Sequence, residues 1–188
     1  MLKTICLFLL EIAPVIIFFG IGQRVSFSQA TAVYAATTLL SMLAVWLIAQ
    51  RLSYLGIIFG VVIVSAGSLS VIYSNPDILL VADTLYYLGS AAVLLGLHYY
   101  GYNLLTTLFG ATFGMSDRGW TILLYRWAGA LIIVGILNEL IRQYSTLPVW
   151  LTFQLLKTIS LILFATYQFT LSRKHRLENE TNAWGVRI

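Results

Sequence analysis

The chain has 188 residues, 60% of them hydrophobic and only 10% charged, with a mean hydropathy of +0.89. A soluble globular chain carries about 25% charged and about 45–50% apolar residues, so this balance excludes a water-soluble domain and points to a bilayer. The net charge of +4 does not imply nucleic acid: the one tight basic cluster, Arg173, Lys174, His175 and Arg176, directly follows the last apolar run, where such clusters set topology or meet anionic head groups.

A helix crossing the hydrocarbon core needs about 17–25 apolar residues. The first such run, Ile5 to Ile21, follows Lys3 and has some features of a signal peptide. Glu11 and Pro14 interrupt it, however, and no small-x-small cleavage site follows at Gly20–Arg24. It is therefore read as a retained segment that either spans or lies partly in the interface. Cys6 is the chain's one cysteine, which rules out an intramolecular disulfide or a CxxC site. The second run, Ala30 to Ala49, is separated by Gln50, Arg51 and Leu52 from the third, Tyr54 to Tyr73. The third holds a GxxxG spacing, Gly56 to Gly60, and the small residues Ser65–Ser68. Small residues let helices approach closely, so this face is read as packing within the bundle, with a dimer contact as the alternative.

Ser74-Asn75-Pro76-Asp77 is a turn signal, and the fourth run is Ile78 to Leu97. The connector that follows, through Trp120, opens with His98, Tyr99, Tyr100 and Tyr102. Leu104, Leu105, Leu108 and Phe109 then predict a short amphipathic helix in the head-group plane. A second GxxxG, Gly110 to Gly114, lies in this connector and carries less weight. His98 has no acid or second histidine at ligand spacing. The fifth run is Thr121 to Ile141 and the sixth Val149 to Leu171, with Pro148 suited to the first turn of the last helix.

The expected fold class is an all-α polytopic integral membrane protein. Residues 1–172 form a compact bundle of five to six transmembrane helices with a short interfacial connector, and residues 173–188 a mobile cytoplasmic basic and polar tail. With six spans, counting Lys3, Arg51, Arg118 and the Arg173–Arg176 cluster against Arg24 and Arg142 favours both termini in the cytoplasm; if the first run does not cross, the N-terminus lies outside and every later assignment stands.

Charges at bilayer depth are costly and face a bundle interior, a partner or a wet cavity. The candidate structural or partner-binding polar residues are therefore Glu11, Asp83, Arg126, Asn138, Glu139 and Lys157. Arg126, one turn inside the fifth run beside Trp127, is placed to snorkel to the interface. Glu139 and Arg142, three apart, share a helix face and can pair. Lys157 lies at a depth comparable with Glu139 across the short turn, which predicts a Glu139–Lys157 or Asn138–Lys157 clamp between the last two helices. No HExxH, GxxxxGK[ST] or GxSxG motif is present, and the scattered serines and threonines form no nucleophile–base set. No catalytic residue, cofactor or metal ligand is assigned, and no nucleic acid is expected.

Several ordered segments carry a resemblance to a known family. They are APVIIFF with Pro14, Phe18 and Phe19; TAVYAATTLL from Thr31; Trp120 with Arg126-Trp127-Ala128; Leu137-Asn138-Glu139; and Trp150-Leu-Thr-Phe153. Together, over about residues 8–170, they resemble the bacterial intracellular septation protein A family. The chain departs from that pattern at Gln154, where the family commonly has lysine, and at Leu79 and Val81, where it has lysines. The basic tract between the fourth and fifth spans is also reduced.

The resemblance implies a multi-pass protein of the bacterial cell inner membrane, linked to septation, cell envelope biogenesis and membrane homeostasis. It implies a non-enzymatic scaffold whose partners are membrane lipids and division or wall-elongation proteins. The carboxylates themselves leave a second reading open, a small transporter or lipid-handling protein.

Overall fold

A computed structural model describes the backbone of residues 2–22, 24–49 and 54–187, and the side chains of these except residues 2–8, 11, 49, 54–56 and 59. The described residues form seven α-helices: α1 (Leu2–Gly22), α2 (Phe27–Ala49), α3 (Tyr54–Ile72), α4 (Asp77–Tyr99), α5 (Leu104–Phe109), α6 (Asp117–Tyr144) and α7 (Leu147–Lys174). The protein is an all-helical, polytopic membrane protein, and α1–α4, α6 and α7 overlap the six apolar runs in order.

Four helices, α2, α4, α6 and α7, are long and apolar enough to cross a bilayer among the described residues. The apolar stretches described within α1 and α3, Ile12–Gly22 and Gly60–Ile72, are shorter. At 1.5 Å per residue the whole of α1 and of α3 measures about 30 Å, comparable with the hydrocarbon core. The helix surfaces show why lipid suits them. Leu39, Leu40, Leu43 and Leu47 of α2 and Leu156, Ile159 and Leu163 of α7 are exposed, whereas Thr31, Asn138 and Lys157 are buried. Where the surrounding medium is itself apolar, packing and hydrogen bonding hold helices together, and polar groups belong inside.

The chain divides into two compact units. Unit 1 comprises Met1–Tyr86 and Leu137–Leu156, and unit 2 comprises Tyr87–Ile136 and Lys157–Ile188. In unit 1, α1 packs on α2 and α2 on α3. The core gathers Phe18, Tyr34, Ile63, Leu79, Trp150 and Leu151. Phe18 of the first run stacks on Tyr34 at 4.6 Å between ring centroids, with Trp150 edge-on to it at 6.3 Å. A Cβ on Gly60 would run into the Met42 sulfur, and one on Gly67 would lie 3.3 Å from a Thr31 methyl. The small-residue face of α3 therefore receives α2, as expected from packing within the bundle. The side chain position of Gly56 lies outside the described residues.

The turn between α3 and α4 forms where its signal stands. Ser74 takes a left-handed φ of 49°, the Ser70 hydroxyl donates to the Asn75 carbonyl, and Asn75 Oδ1 accepts from the Asp77 amide. Pro148 occupies the first turn of α7, where its missing N–H costs little.

Unit 2 has an apolar core of Leu94, Leu105, Met115, Trp120, Leu124 and Leu171. Its short helix α5 is capped by Asn103, whose Oδ1 accepts from the Leu105 and Thr106 amides, and buries Leu105. The tail corrects one expectation: it is not a loose end. After α7 it returns to the connector, with Ser116 N donating to His175 O, Leu177 N to Gly114 O, Gly114 N to Gly185 O and Arg187 N to Thr112 O. The Ser172 hydroxyl also donates to the Trp184 carbonyl, and the Arg173 guanidinium lies over the Trp184 ring. Of the second GxxxG, Gly114 serves this contact, facing Thr181 and Arg187, whereas Gly110 meets only Thr106 of its own short helix; Gly119, outside the motif, faces His175. Sequence reasoning misses the docking because most of its bonds are backbone to backbone, which no side-chain pattern announces.

Candidate functional site

The polar residues of unit 1 are assembled by three helices. On α4, Leu80 and Thr84 stand one turn apart, with Asp83 beside them. On α6, Asn138 and Glu139 are adjacent. On α7, Trp150 and Gln154 are separated by four residues and share a face. Asn138 is the node. Its Nδ2 donates to the Leu80 carbonyl at 3.1 Å and the Thr84 hydroxyl at 2.8 Å. Its Oδ1 accepts from Trp150 Nε1 at 2.9 Å and Gln154 Nε2 at 3.2 Å. A carboxamide has two donors and one oxygen with two lone pairs, so the buried Asn138 uses its full capacity.

The network extends to a carboxylate on each side. Gln154 Nε2 also donates to Asp83 Oδ2 at 2.8 Å, and the Thr84 hydroxyl donates to Glu139 Oε2 at 3.2 Å. Glu139 is gripped further by Arg142, at 3.0 Å from Nε and 2.5 Å from Nη2, and by Gln143 at 2.6 Å. The i, i+3 pairing of Glu139 and Arg142 is thus formed, and Arg142 Nη1 stands 3.9 Å from Asp77.

Asp83 and Glu139 are therefore joined through two carboxamides and a hydroxyl. Carboxamides hold and orient hydrogen bonds without exchanging protons as an acid–base pair would, so this chain of groups suits positioning better than relay. A cavity of about 20 Å³, bordered by Tyr34, Asp83, Trp150 and Gln154 among apolar groups, has room for about one water molecule and is far below the size of a substrate pocket.

Gln154 was not singled out as a site residue. The signal for it was its place one helical turn after Trp150, at the position where the resembling family has lysine. Its amide meets the Asp83 carboxylate without adding a second ion. The side chain of Glu11 lies outside the described residues.

The remaining candidates belong to unit 2. Arg126 Nη1 donates to Gln168 Oε1 at 3.2 Å, and its guanidinium lies 5.7 Å from the Tyr167 ring centre. It ties α6 to α7 as well as standing one turn inside its run. Lys157 is buried, with its ammonium 4.6 Å from the centre of the Tyr87 ring, an arrangement that partly replaces lost hydration. His98 packs edge-on against Tyr125 at 5.3 Å.

Exposed apolar helix faces with polar side chains buried and hydrogen-bonded between helices define a helical, multi-pass membrane protein. The sequence model described as intracellular septation protein A matches residues 6–179, and the chain belongs to that family. It is similar to the inner membrane-spanning protein YciB of Nitrobacter hamburgensis, with 27% identity over 172 residues, 91% of this chain and 86% of that protein. It is also similar to the protein of the same name from Rhizobium meliloti, with 28% identity over 189 residues, 92% of this chain and 90% of the relative. No solved structure matches.

Proposed function

We propose that this protein is a non-enzymatic factor of the bacterial inner membrane that supports envelope biogenesis, membrane homeostasis and septation by binding other membrane proteins of division or wall elongation. The observation that carries the reading is the Asn138 node. Its side chain is fully engaged in holding α4, α6 and α7, so the most polar part of unit 1 builds a rigid framework rather than a reaction centre. The family name and the printed names of the relatives support the inner membrane and septation as the setting. In this reading both termini are cytoplasmic, and the pairing of residues 112–116 with 175–187 keeps the connector and tail at the same membrane surface.

The test has two arms. In cells, a functional fluorescent fusion should concentrate at division or elongation sites, and depletion should disturb septation or envelope integrity. In liposomes, pure protein should move neither lipid nor protons. Transport that is robust and is lost in Glu139→Gln would replace this reading with that of a small transporter. A reporter fused after Ile188 should work only as a cytoplasmic one; activity confined to the periplasm would reverse the topology.

A further inference from the structure

Unit 1 carries a groove between α3 and α4 that no part of the described chain fills. Val62, Ser65 and Leu69 form one wall and Ile78, Val81 and Leu85 the other, with Ala66 and Ala82 leaving room at the floor. It is a shallow groove, open along its length, with a volume of about 590 Å³. Asn75 and Asp77 border one end. From Asp77 to Leu85 the groove runs about 12 Å along α4, close to the depth of one leaflet's hydrocarbon, which is about 15 Å.

The polar end carries complementary charges. Asp77 is 62% exposed, and Arg142 Nη1 stands 3.9 Å from its carboxylate, too far for a hydrogen bond. Nε and Nη2 of Arg142 are taken by Glu139, which leaves Nη1 turned toward Asp77. The Asp77 amide is already held by Asn75 Oδ1, so the charged side chains, not the helix terminus, present the chemistry. Asp77 borders the groove and Arg142, though not one of its lining residues, stands beside Asp77; an anion at the end of an apolar groove with a cation next to it suits a zwitterion.

We propose that this groove is a binding site for an amine-bearing glycerophospholipid. One acyl chain lies between α3 and α4, the head-group ammonium meets Asp77, and the phosphate meets Arg142 Nη1. The proposal does not rest on the partner-binding function above, since a scaffold and a transporter alike can hold a structural lipid.

The experiment places the full chain in nanodiscs of phosphatidylethanolamine and phosphatidylglycerol, with a trace of either lipid carrying a diazirine on one acyl chain, and maps crosslinked peptides. With the ethanolamine probe, labelling should concentrate on residues 62–85, and fall about fivefold in Ser65→Trp and, separately, in Val81→Phe. Labelling of the lipid-facing stretch Leu156–Leu163 should stay constant. Asp77→Asn should abolish any preference for the ethanolamine probe over the glycerol probe. The two filling variants act from opposite walls, so a folding defect in one, seen as loss of a monodisperse peak, leaves the other to decide. Labelling of residues 62–85 no stronger than that of α7, or unchanged in the folded filling variant, would reduce the groove to ordinary boundary lipid and overturn the proposal. Equal labelling by both probes in the wild type would overturn the head-group assignment.

Discussion

Units 1 and 2 solve the same problem, holding apolar helices together where lipid competes for every apolar contact, by different means. Unit 1 joins α4, α6 and α7 with side-chain hydrogen bonds centred on Asn138 and sets this node against the Phe18–Tyr34–Trp150 aromatic cluster. Unit 2 packs leucines, Met115 and Trp120, and closes one end with backbone hydrogen bonds between its connector and its tail. Hydrocarbon cannot replace a lost hydrogen bond, so unit 1 concentrates its specificity in a few atoms, whereas unit 2 distributes it along a stretch of backbone. A single atom group should therefore matter more in unit 1.

The largest effect is expected for Asn138→Leu, which strips partners from Trp150 Nε1, the Gln154 amide, the Thr84 hydroxyl and the Leu80 carbonyl. Removing one partner from buried polar groups costs about 1–3 kcal/mol each where no substitute is found, so a loss of about 3 kcal/mol is expected. Unfolding in bicelles followed by steric trapping measures it. A loss below that of the tail variant described next would invert the contrast between the units.

Gly185→Ala tests unit 2. Gly185 has φ of +74°, and a Cβ there would clash with Ser172 Oγ and lie 2.8 Å from the Ser172 carbonyl oxygen. A strained backbone of this kind costs about 1–3 kcal/mol, here expressed as release of the tail rather than loss of the bundle. Limited proteolysis should cut the variant after Lys174 faster than the wild type, with the Trp150 environment unaltered. Resistance equal to the wild type's would show that the docking does not depend on this turn.

An effect of opposite sign is expected at Thr31. Its hydroxyl is fully buried and has no hydrogen-bond partner among the described residues. Thr31→Val exchanges that hydroxyl for a methyl of similar size and should stabilise unit 1 by about 1 kcal/mol. Destabilisation in the same unfolding assay would reveal a partner for the hydroxyl.

The smallest signal concerns the ion pairs. A double-mutant cycle of Glu139→Gln with Arg142→Gln should give a coupling of about 0.6 kcal/mol, the usual scale for polar pairs in membrane bundles. The same cycle with Lys157→Met measures the clamp expected from the sequence. A coupling larger than that of Arg142 would make Lys157 the principal partner of Glu139.

Much of the architecture is determined by sequence alone. Runs of about twenty apolar residues must be helices in a bilayer, because only a helix satisfies its own backbone there. Ser74-Asn75-Pro76-Asp77 and Pro148 mark a turn and a helix start through local backbone chemistry, and the i, i+3 spacing of Glu139 and Arg142 predicts their bond. Asp83 and Asn138 stood out because polar groups in such runs require a reason.

Which partners they take was decided only by the tertiary structure. Gln154 meets Asp83 across 71 residues of chain, and Asn138 reaches the Leu80 carbonyl across 58. Helical period fixes which face a residue occupies on its own helix, but not which neighbouring helix lies opposite or how far it slides. The tail is the plainest case: its docking rests on main-chain groups that every residue possesses, so no side-chain pattern announces it, and only the fold brings residues 112–116 and 175–187 within hydrogen-bonding distance.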